Sequence, residues 1–349
     1  MAQKYEFRGN AYRKLADLNA WTRLRQEPAL EPDLPILDPH HHVWDDERGR
    51  YLIHELVEDV STGHNIVATV FIEAGSMYRA DGPADMKPVG EVEFVNGIAA
   101  MSASGRYGKA RLCAGIIGHA DLMLGAEVER VLEALMTAGN GRFRGIRHGL
   151  VWDTGNAAKL GRRQVPRHQM LDPTFRKGFA RLQPHGLSFE AWLFHPQLSD
   201  LVDLLRVFPK ANVVLNHVGG LLGVPPHDGK RDEVFGIWRS SIRELAQFPN
   251  LTVKVGGLGM LYCDWDFHLR DMPPSSEDLA AAWRPYVETC IEAFGPDRCM
   301  MESNFPVDKQ SCGYGVLWNA FKRITKNHSA ADKSAMYHDT AARVYRLGV

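Results

Sequence analysis

The sequence predicts an α/β fold, a closed (β/α)8 barrel of the TIM type with an N-terminal extension and long loops after its strands. Three observations carry this prediction. Eight short apolar runs are rich in β-branched residues, segments of helical length separate them, and a length of 349 residues suits a barrel with insertions. An open, doubly wound sheet is the competing architecture, because it also alternates strands with helices.

The predicted strands are short and apolar, as expected where both faces of a parallel strand are covered. In chain order they are 36–40, 66–74, 112–119, 143–151, 187–195, 213–218, 251–257 and 299–304. Amphipathic periodicity predicts helices between them, for example over 126–136, 198–207 and 276–294. Residues 34–349 are therefore predicted to form one barrel. Residues 1–33 form an N-terminal arm that either covers the bottom of the barrel or mediates oligomer contacts.

The composition excludes several classes of partner. Lys and Arg number 41 against 42 Asp and Glu, so no overall positive field would attract nucleic acid or an anionic membrane. No stretch approaches the roughly 18 apolar residues of a membrane-spanning helix, and the N-terminus lacks the apolar core of a signal peptide. Five cysteines without a CxxC pair are typical of reduced thiols. We therefore predict a cytoplasmic protein that acts on a small molecule.

Three consecutive histidines follow the first apolar run, in the stretch DPHHHVWD. Neighbouring side chains on a strand point to opposite faces, so His40 and His42 can share one site. His41 then points elsewhere, and we predict that it packs behind the site.

Further polar residues lie at or near the ends of the other predicted strands, which converge at the mouth of a barrel. They are Glu73, Arg147, His148, His195, His217, Glu302 and Asn304. Burying several imidazoles together is costly without a shared partner such as a metal ion. Imidazole and carboxylate groups without clustered thiols are the ligand set of zinc, iron or manganese. The sequence therefore predicts a first-row metal at the mouth.

Three motifs together resemble the amidohydrolase superfamily, and within it the amidohydrolase-related, lactonase-like TIM barrels. They are Asp-x-His-x-His with His40 and His42, His195 before Pro-Gln, and His217 in LNHVGG. The resemblance covers roughly residues 34–349. It implies that His40, His42, His195 and His217 hold a metal, zinc above all. It also implies that metal-activated water attacks a lactone, ester or amide carbonyl.

One departure from the family pattern concerns the expected general base. Family members usually end the last strand in a Ser-Asp-Trp-Pro-like turn whose aspartate binds metal and accepts a proton, whereas this chain has SNFP with Asn304. An amide cannot accept a proton at useful pH, so Asn304 occupies the catalytic position without its chemistry. Glu302 lies on the same strand face, and Glu73 ends the second strand. Either glutamate could serve as ligand or acid–base group.

Three interpretations of this exchange remain open. In the first, Glu302 or Glu73 replaces the aspartate and the enzyme is a hydrolase, which we favour because hydrolysis dominates the family. In the second, two metal ions, both iron or one iron and one manganese, activate dioxygen and the enzyme is a hydroxylase. A small branch of the superfamily resembles this arrangement. In the third, the chain is a non-catalytic metal-binding subunit. We expect a homo-oligomer, with a hetero-oligomer as the alternative.

The remaining predictions concern the substrate pocket. Arg147 can hold a substrate carboxylate through two parallel hydrogen bonds, and Tyr78, Arg79 and Trp192 lie where they would line the pocket. His148 alternates with Arg147, so it can be a ligand only where the strand bulges.

Lys254 lies on the seventh predicted strand, where it would be buried. A buried ammonium needs a carboxylate partner. We therefore predict that Lys254 fills the barrel interior through an ion pair with Glu302 or Glu190.

Overall fold

The computed structural model describes residues 6–160 and 165–349. Its strands are β1 (Pro35–His41), β2 (Trp44–Asp46), β3 (Gly49–Tyr51), β4 (Asn65–Ile72), β5 (Arg111–Gly118), β6 (Phe143–Arg147), β7 (Ser188–Ala191), β8 (Asn212–Leu215), β9 (Leu251–Val255) and β10 (Cys299–Met301). Strands β2 and β3 form an antiparallel hairpin, and the other eight form one parallel sheet in chain order. A parallel bridge between His41 and Phe305 joins the end of the sheet to its beginning. The predicted (β/α)8 barrel is confirmed.

Helices separate the barrel strands. Within the described residues they are α1 (Leu15–Arg23), α2 (Ile53–Val60), α3 (Val89–Ala103), α4 (Glu129–Ala138), α5 (Pro173–Phe179), α6 (Leu198–Val207), α7 (His217–Gly220), α8 (Arg231–Leu245), α9 (Ser276–Phe294), α10 (Tyr314–Ile324), α11 (Ala330–Ser334) and α12 (Thr340–Val344). Helices α6 and α9 have the predicted bounds, whereas α4 begins three residues late because Leu122–Val128 forms 3-10 turns. None of the described helices is both long and apolar enough to cross a membrane.

The barrel strands are apolar on both faces because each face is covered. Their outward side chains pack under the helices in one large core, which includes Phe71, Ile116 and Phe189. Their inward side chains form a second core inside the barrel, which includes Leu37 and Val70. This double coverage explains why the strands read as continuous apolar runs.

The barrel interior also holds a buried ion pair. Lys254 Nζ lies 2.9 Å from Glu190 Oε2, and both side chains are sealed from solvent. Tyr345, which packs with the inner core, donates its hydroxyl to Glu190 Oε1 at 2.7 Å. The predicted interior pairing of Lys254 is thus present, with Glu190 as its partner.

The N-terminal arm lies across the mouth of the barrel. Asn10 Oδ1 accepts a hydrogen bond from the backbone N–H of Leu261 (2.8 Å), and Trp21 Nε1 donates to the carbonyl of Arg270 (3.0 Å). The side-chain amide of Gln310 forms two hydrogen bonds of 3.0 Å with the backbone of Arg13. These partners follow the carboxyl ends of β9 and β10, so the arm covers the mouth and not the bottom.

The far end of the arm is fastened through Lys322 and His64. Lys322 Nζ donates to the carbonyls of Leu30 (2.8 Å) and Glu31 (2.9 Å) and to His64 Nδ1 (2.9 Å). His64 Nε2 donates to the carbonyl of Gly315 at 3.0 Å. Burial, and then the Lys322 ammonium, lower the pKa of His64 to about 4. This arrangement therefore requires a neutral His64.

We expect acid to destabilise the fold through His64. Its pKa is lower in the folded than in the unfolded state, so its contribution is complete above the unfolded value of about 6.5 and disappears as the pH falls toward 4. Between pH 7 and pH 5, the wild type should lose about 1 to 2 kcal/mol more unfolding free energy than His64→Gln. Denaturant unfolding at both pH values measures this difference. His54→Gln, at an exposed histidine, is the control and should behave as the wild type. Equal acid sensitivity of all three proteins would contradict the assignment.

Candidate metal centre

Three buried side chains meet at the mouth of the barrel: His40 from β1, His217 after β8 and Glu302 after β10. His217 Nδ1 lies 2.7 Å from Glu302 Oε1, and His40 Nδ1 lies 2.8 Å from Glu302 Oε2. One ligand atom from each residue falls within 4.8 Å of the others. The structure thus brings together three of the residues predicted as metal ligands.

The backbone between β9 and the next loop makes room for this cluster. Gly257 has φ +65°, and a Cβ at this position would lie 2.4 Å from His217 Nδ1. A Cβ on Gly256 would lie 2.4 Å from Glu302 Cγ. His217 itself has φ 53°, a conformation that is uncommon for residues other than glycine. The two glycines and the turn at His217 therefore hold the imidazole against the carboxylate.

Glu302 is a carboxyl group without access to water. Burial raises the pKa of Glu302 to about 8, and the charge of Lys254 opposes this rise. Among the described residues, Glu302 Oε2 has no hydrogen-bond partner of suitable geometry, although His40 Nδ1 is close. An unsatisfied buried carboxylate oxygen is costly. It is the atom that a bound cation would satisfy.

Burial also keeps the histidines of the site neutral. It lowers the pKa of His40, His42 and His217 well below the ordinary value; the positive charge of Arg147 adds to the effect at all three, and that of Lys254 at His40 and His217. Neutral imidazole is the form that binds metals.

His42 lies beside the cluster, with its ring centroid 5.0 Å from that of His40. Its Nδ1 donates to the carbonyl of Ile72 at 2.8 Å, so in the neutral ring Nε2 carries the lone pair. Nε2 faces Asn304 Oδ1 at 3.3 Å, while Asn304 Nδ2 donates to Asp308 Oδ1 at 2.7 Å. Two acceptor atoms therefore face each other, an arrangement that a proton or a cation would stabilise.

Arg147 connects the cluster to Glu73. Its Nη1 lies 3.3 Å from His40 Nε2, its Nε donates to Glu73 Oε1 at 2.8 Å, and its Nη2 donates to the Glu73 carbonyl at 2.6 Å. The Arg147 guanidinium therefore lies between Glu73 and His40, and Glu73 is not part of the cluster. The charges of Arg147 and Lys254 balance part of the negative charge of Glu73, Glu190 and Glu302.

These observations fit a divalent metal ion. Two neutral imidazoles and a carboxylate are a common donor set for zinc, iron or manganese. Glu302 Oε2, which has no hydrogen bond, and the facing acceptors of His42 and Asn304 are atoms that a cation would satisfy. His40, His217 and Glu302 are the residues that would hold it.

Two further predicted ligands lie outside the cluster. His195 Nδ1 accepts from the backbone N–H of Leu222 at 3.3 Å, and its ring contacts His227 with centroids 5.0 Å apart. Burial, and then His227, lower the pKa of His195 to about 4. His148 Nδ1 accepts from the backbone N–H of Leu122 at 3.1 Å. In both histidines, Nδ1 therefore already accepts a hydrogen bond from a backbone N–H.

A cavity of about 280 Å³ opens beside the cluster. Arg147, Tyr78 and Trp192, three of the predicted substrate-binding residues, line it. His148 lines it together with Arg147, because β6 ends at Arg147 and the alternation of side chains stops there. Arg79 instead pairs with Glu93 at the surface, with 42% of its side chain exposed. The structure does not bring Arg79 to this cavity.

Sequence reasoning missed the contribution of the hairpin after β1. Arg48 lines the cavity, stacks on Trp44 at 4.0 Å and pairs with Asp46 (Nε to Oδ1, 2.9 Å). A signal was available: the loop after the first strand also leaves from a carboxyl end, where barrels build their sites. His41 points away as predicted, with Nε2 2.8 Å from Thr69 Oγ1.

Known proteins are similar in sequence to most of this chain. The family model described as Amidohydrolase matches residues 37–347. An uncharacterized protein of Sinorhizobium fredii, y4mH, is 34% identical over 338 residues, which cover 90% of this chain and 99% of that protein. An L-fucono-1,5-lactonase of Burkholderia multivorans is 30% identical over 244 residues, or 68% of this chain and 73% of the lactonase.

A solved structure is also similar. An amidohydrolase from Burkholderia multivorans with bound zinc superposes with a TM-score of 0.65 at 25% identity, over 89% of this chain and 99% of that chain. The resemblance predicted from the histidine motifs is confirmed. With a family match that spans almost the entire barrel, this chain belongs to the amidohydrolase family and is a hydrolytic enzyme.

Proposed function

We propose that this chain hydrolyses the ester bond of a small lactone, with a divalent metal ion, zinc in the first place, held by His40, His217 and Glu302. The observation that carries the proposal is the buried cluster of these three side chains next to a cavity. The lactonase relative of Burkholderia multivorans supports the substrate class, and the zinc-bound amidohydrolase supports the metal.

Glu302 and Glu73 have different roles in the proposed reaction. Glu302 is sealed from the cavity, so it serves as a ligand and not as a proton acceptor for the substrate. When bound, the metal would polarise the carbonyl and lower the pKa of an attacking water. Glu73 lines the cavity, where Arg147 orients its carboxylate. We assign to Glu73 the role of general base, which Asn304 cannot fill.

The other cavity residues bind and orient the lactone. The guanidinium of Arg147, held on two sides by Glu73, faces the cavity and can hold the carbonyl oxygen or a carboxylate of the substrate. Trp192 contacts His217 edge to face, with centroids 4.8 Å apart, and forms a wall beside it. Tyr78 lies in the same lining. These groups would exclude water from the face of the lactone that is not attacked.

The described residues contain one group of His, Cys, Asp and Glu side chains with metal-ligand spacing. This favours the single-metal hydrolase over a dinuclear oxygenase, and the metal count below tests it. A cytoplasmic location, consistent with five buried free cysteines, and a homo-oligomeric state stay predictions.

The first test removes ligands from the cluster. We expect the protein purified from zinc-supplemented medium to contain one metal per chain. Glu302→Gln and His217→Ala should weaken metal binding by more than about 100-fold, the upper range for residues that act only from behind the ligands. Metal analysis by mass spectrometry and hydrolysis of L-fucono-1,5-lactone measure the two losses. His148→Ala and His195→Ala are the matched controls and should keep the metal. Two metals per chain, or metal loss only in the controls, would reject the assignment.

The second test separates the base from the ligands. Glu73→Gln should lower kcat by about 10²- to 10⁴-fold, because the amide cannot accept a proton, while the metal content stays at the wild-type level. Steady-state kinetics and metal analysis of the same preparation give both values. Loss of metal in Glu73→Gln would show that Glu73 is a metal ligand. An unchanged kcat would show that Glu73 is not the general base.

The third test concerns the glycine that accommodates His217. Gly257→Ala should displace the imidazole and reduce both metal affinity and turnover, because the new Cβ would meet His217 Nδ1. Gly229→Ala is the matched control. Gly229 has a similar φ of +71° with no atom within 4 Å of the new Cβ, so it carries the same backbone strain without the contact. Titration calorimetry with zinc compares the two. Equal affinities in both variants would show that the contact does not position His217.

A further inference from the structure

Two cavities meet at the mouth of the barrel. The first, described above, is called the polar cavity; Glu73, Tyr78, His119 and His148 belong to it alone. The second has a volume of about 340 Å³ and is called the arm cavity, because Ala11, Leu15 and Leu18 of the N-terminal arm line it. The residues common to both linings are His42, Trp44, Arg48, Arg147, Trp192 and Val307. The two cavities therefore adjoin at these side chains.

The arm cavity presents mainly carbon to its interior. Ala11, Leu15, Leu18, Met260 and Pro306 contribute apolar side chains. Three polar residues of its wall, Asn10, Arg13 and Gln310, dock the arm.

Gln310 is one of these docked groups, and both ends of its amide are engaged with the Arg13 backbone. The Arg13 guanidinium donates to the carbonyls of His268 and Arg270 and stacks on Trp21 at 4.3 Å. Asn10 Oδ1 accepts from the backbone N–H of Leu261. Since these groups have partners in the protein, an apolar ligand would not leave them unsatisfied.

The polar cavity lacks this group of arm side chains and has a different set of polar groups on its wall. Glu73 and Arg147 form an ion pair on its wall, and Tyr78, His119 and His148 add further hydrogen-bonding groups. Such a lining suits the oxygen atoms of a lactone and its polar substituents.

The reacting groups lie where the cavities join. His42 and Arg147 line both cavities, whereas His217 and Asn304 line the arm cavity. A carbonyl at the junction would therefore contact both environments. The two oxygens of the lactone group would accept hydrogen bonds from Arg147, and a substituent on the ring would face the arm.

We propose that the arm cavity is a substrate subsite that binds an apolar ring substituent, so that the preferred substrate is a lactone carrying an alkyl chain. The assignment rests on the lactone hydrolysis proposed above. The arm residues of this subsite lie before residue 37, where the match to the amidohydrolase family model begins.

The expected preference follows from the burial of carbon. Each methylene group removed from water should raise kcat/KM about fourfold, which corresponds to about 0.8 kcal/mol. A butyl chain that enters the arm cavity should therefore improve kcat/KM by at least about tenfold, even if it is only partly buried. An unsubstituted ring gains nothing from this cavity.

The experiment compares δ-valerolactone with its butyl-substituted analogue, δ-nonalactone, on the full-length, zinc-loaded enzyme. Ala11→Trp fills the arm cavity with an indole ring, and Ala16→Trp places the same ring on the exposed side of the arm as a control. Leu15→Gln, which introduces a polar group into the arm cavity, is a second variant. We expect the wild type and Ala16→Trp to prefer δ-nonalactone by at least about tenfold. Ala11→Trp and Leu15→Gln should lose this preference and keep their activity on δ-valerolactone.

A binding measurement separates this inference from the hydrolysis it rests on. Calorimetry compares piperidin-2-one with 6-butylpiperidin-2-one, lactams that match the two lactone rings but are far less reactive. Tighter binding of the butyl lactam to the wild type, abolished in Ala11→Trp, supports the subsite even if neither lactone is hydrolysed, in which case the proposed function fails alone. Equal binding of the two lactams, or an equal loss for both in Ala11→Trp, would overturn the subsite whether or not lactones are hydrolysed.

Discussion

The mouth of the barrel depends on one buried carboxylate. Glu302 has no access to water, so its charge needs donors and cations in direct contact. His217 supplies its backbone N–H and its ring, His40 contributes its ring, and Lys254 adds a positive charge close to His40. These partners come from β1, β9 and the turn after β8, so one carboxylate ties four neighbouring strands together. The same constraint explains why glycines follow β9, since a side chain there would separate Glu302 from His217.

The barrel could be predicted from the sequence because each strand carries its own signal. Apolar runs that are covered on both faces, such as β4, are recognisable without knowledge of their neighbours. The ends of the strands were less predictable. The predicted fourth strand ran to residue 151, but β6 ends at Arg147, since the apolar residues that follow are buried in the mouth and not paired in the sheet. An apolar sequence predicts that these residues are buried, but it does not show whether they pair in the sheet or lie in a loop.

The cluster of His40, His217 and Glu302 was predictable in part, because each residue lies near the end of a recognisable strand. His40, His217 and Glu302 lie at strand ends that the barrel brings together, and alternation along β1 separates His41 from them. The position of His195 depends on the 3-10 turn that begins at this residue, and on an amide from a distant loop that occupies its ring nitrogen. The location of the arm depends on contacts with Leu261, Arg270 and Gln310, which are more than 200 residues away in sequence. No local pattern encodes such contacts.

The link from Lys254 through Glu190 to Tyr345 has a consequence for biosynthesis. Tyr345 is separated from Glu190 by 155 positions, and its hydroxyl satisfies one oxygen of the carboxylate that neutralises Lys254. Strands β1 through β9 are synthesised before Tyr345, so this oxygen of Glu190 lacks its donor until the C-terminal segment is in place. The ion pair beside His40 therefore acquires this hydrogen bond only after the C-terminal segment has been synthesised.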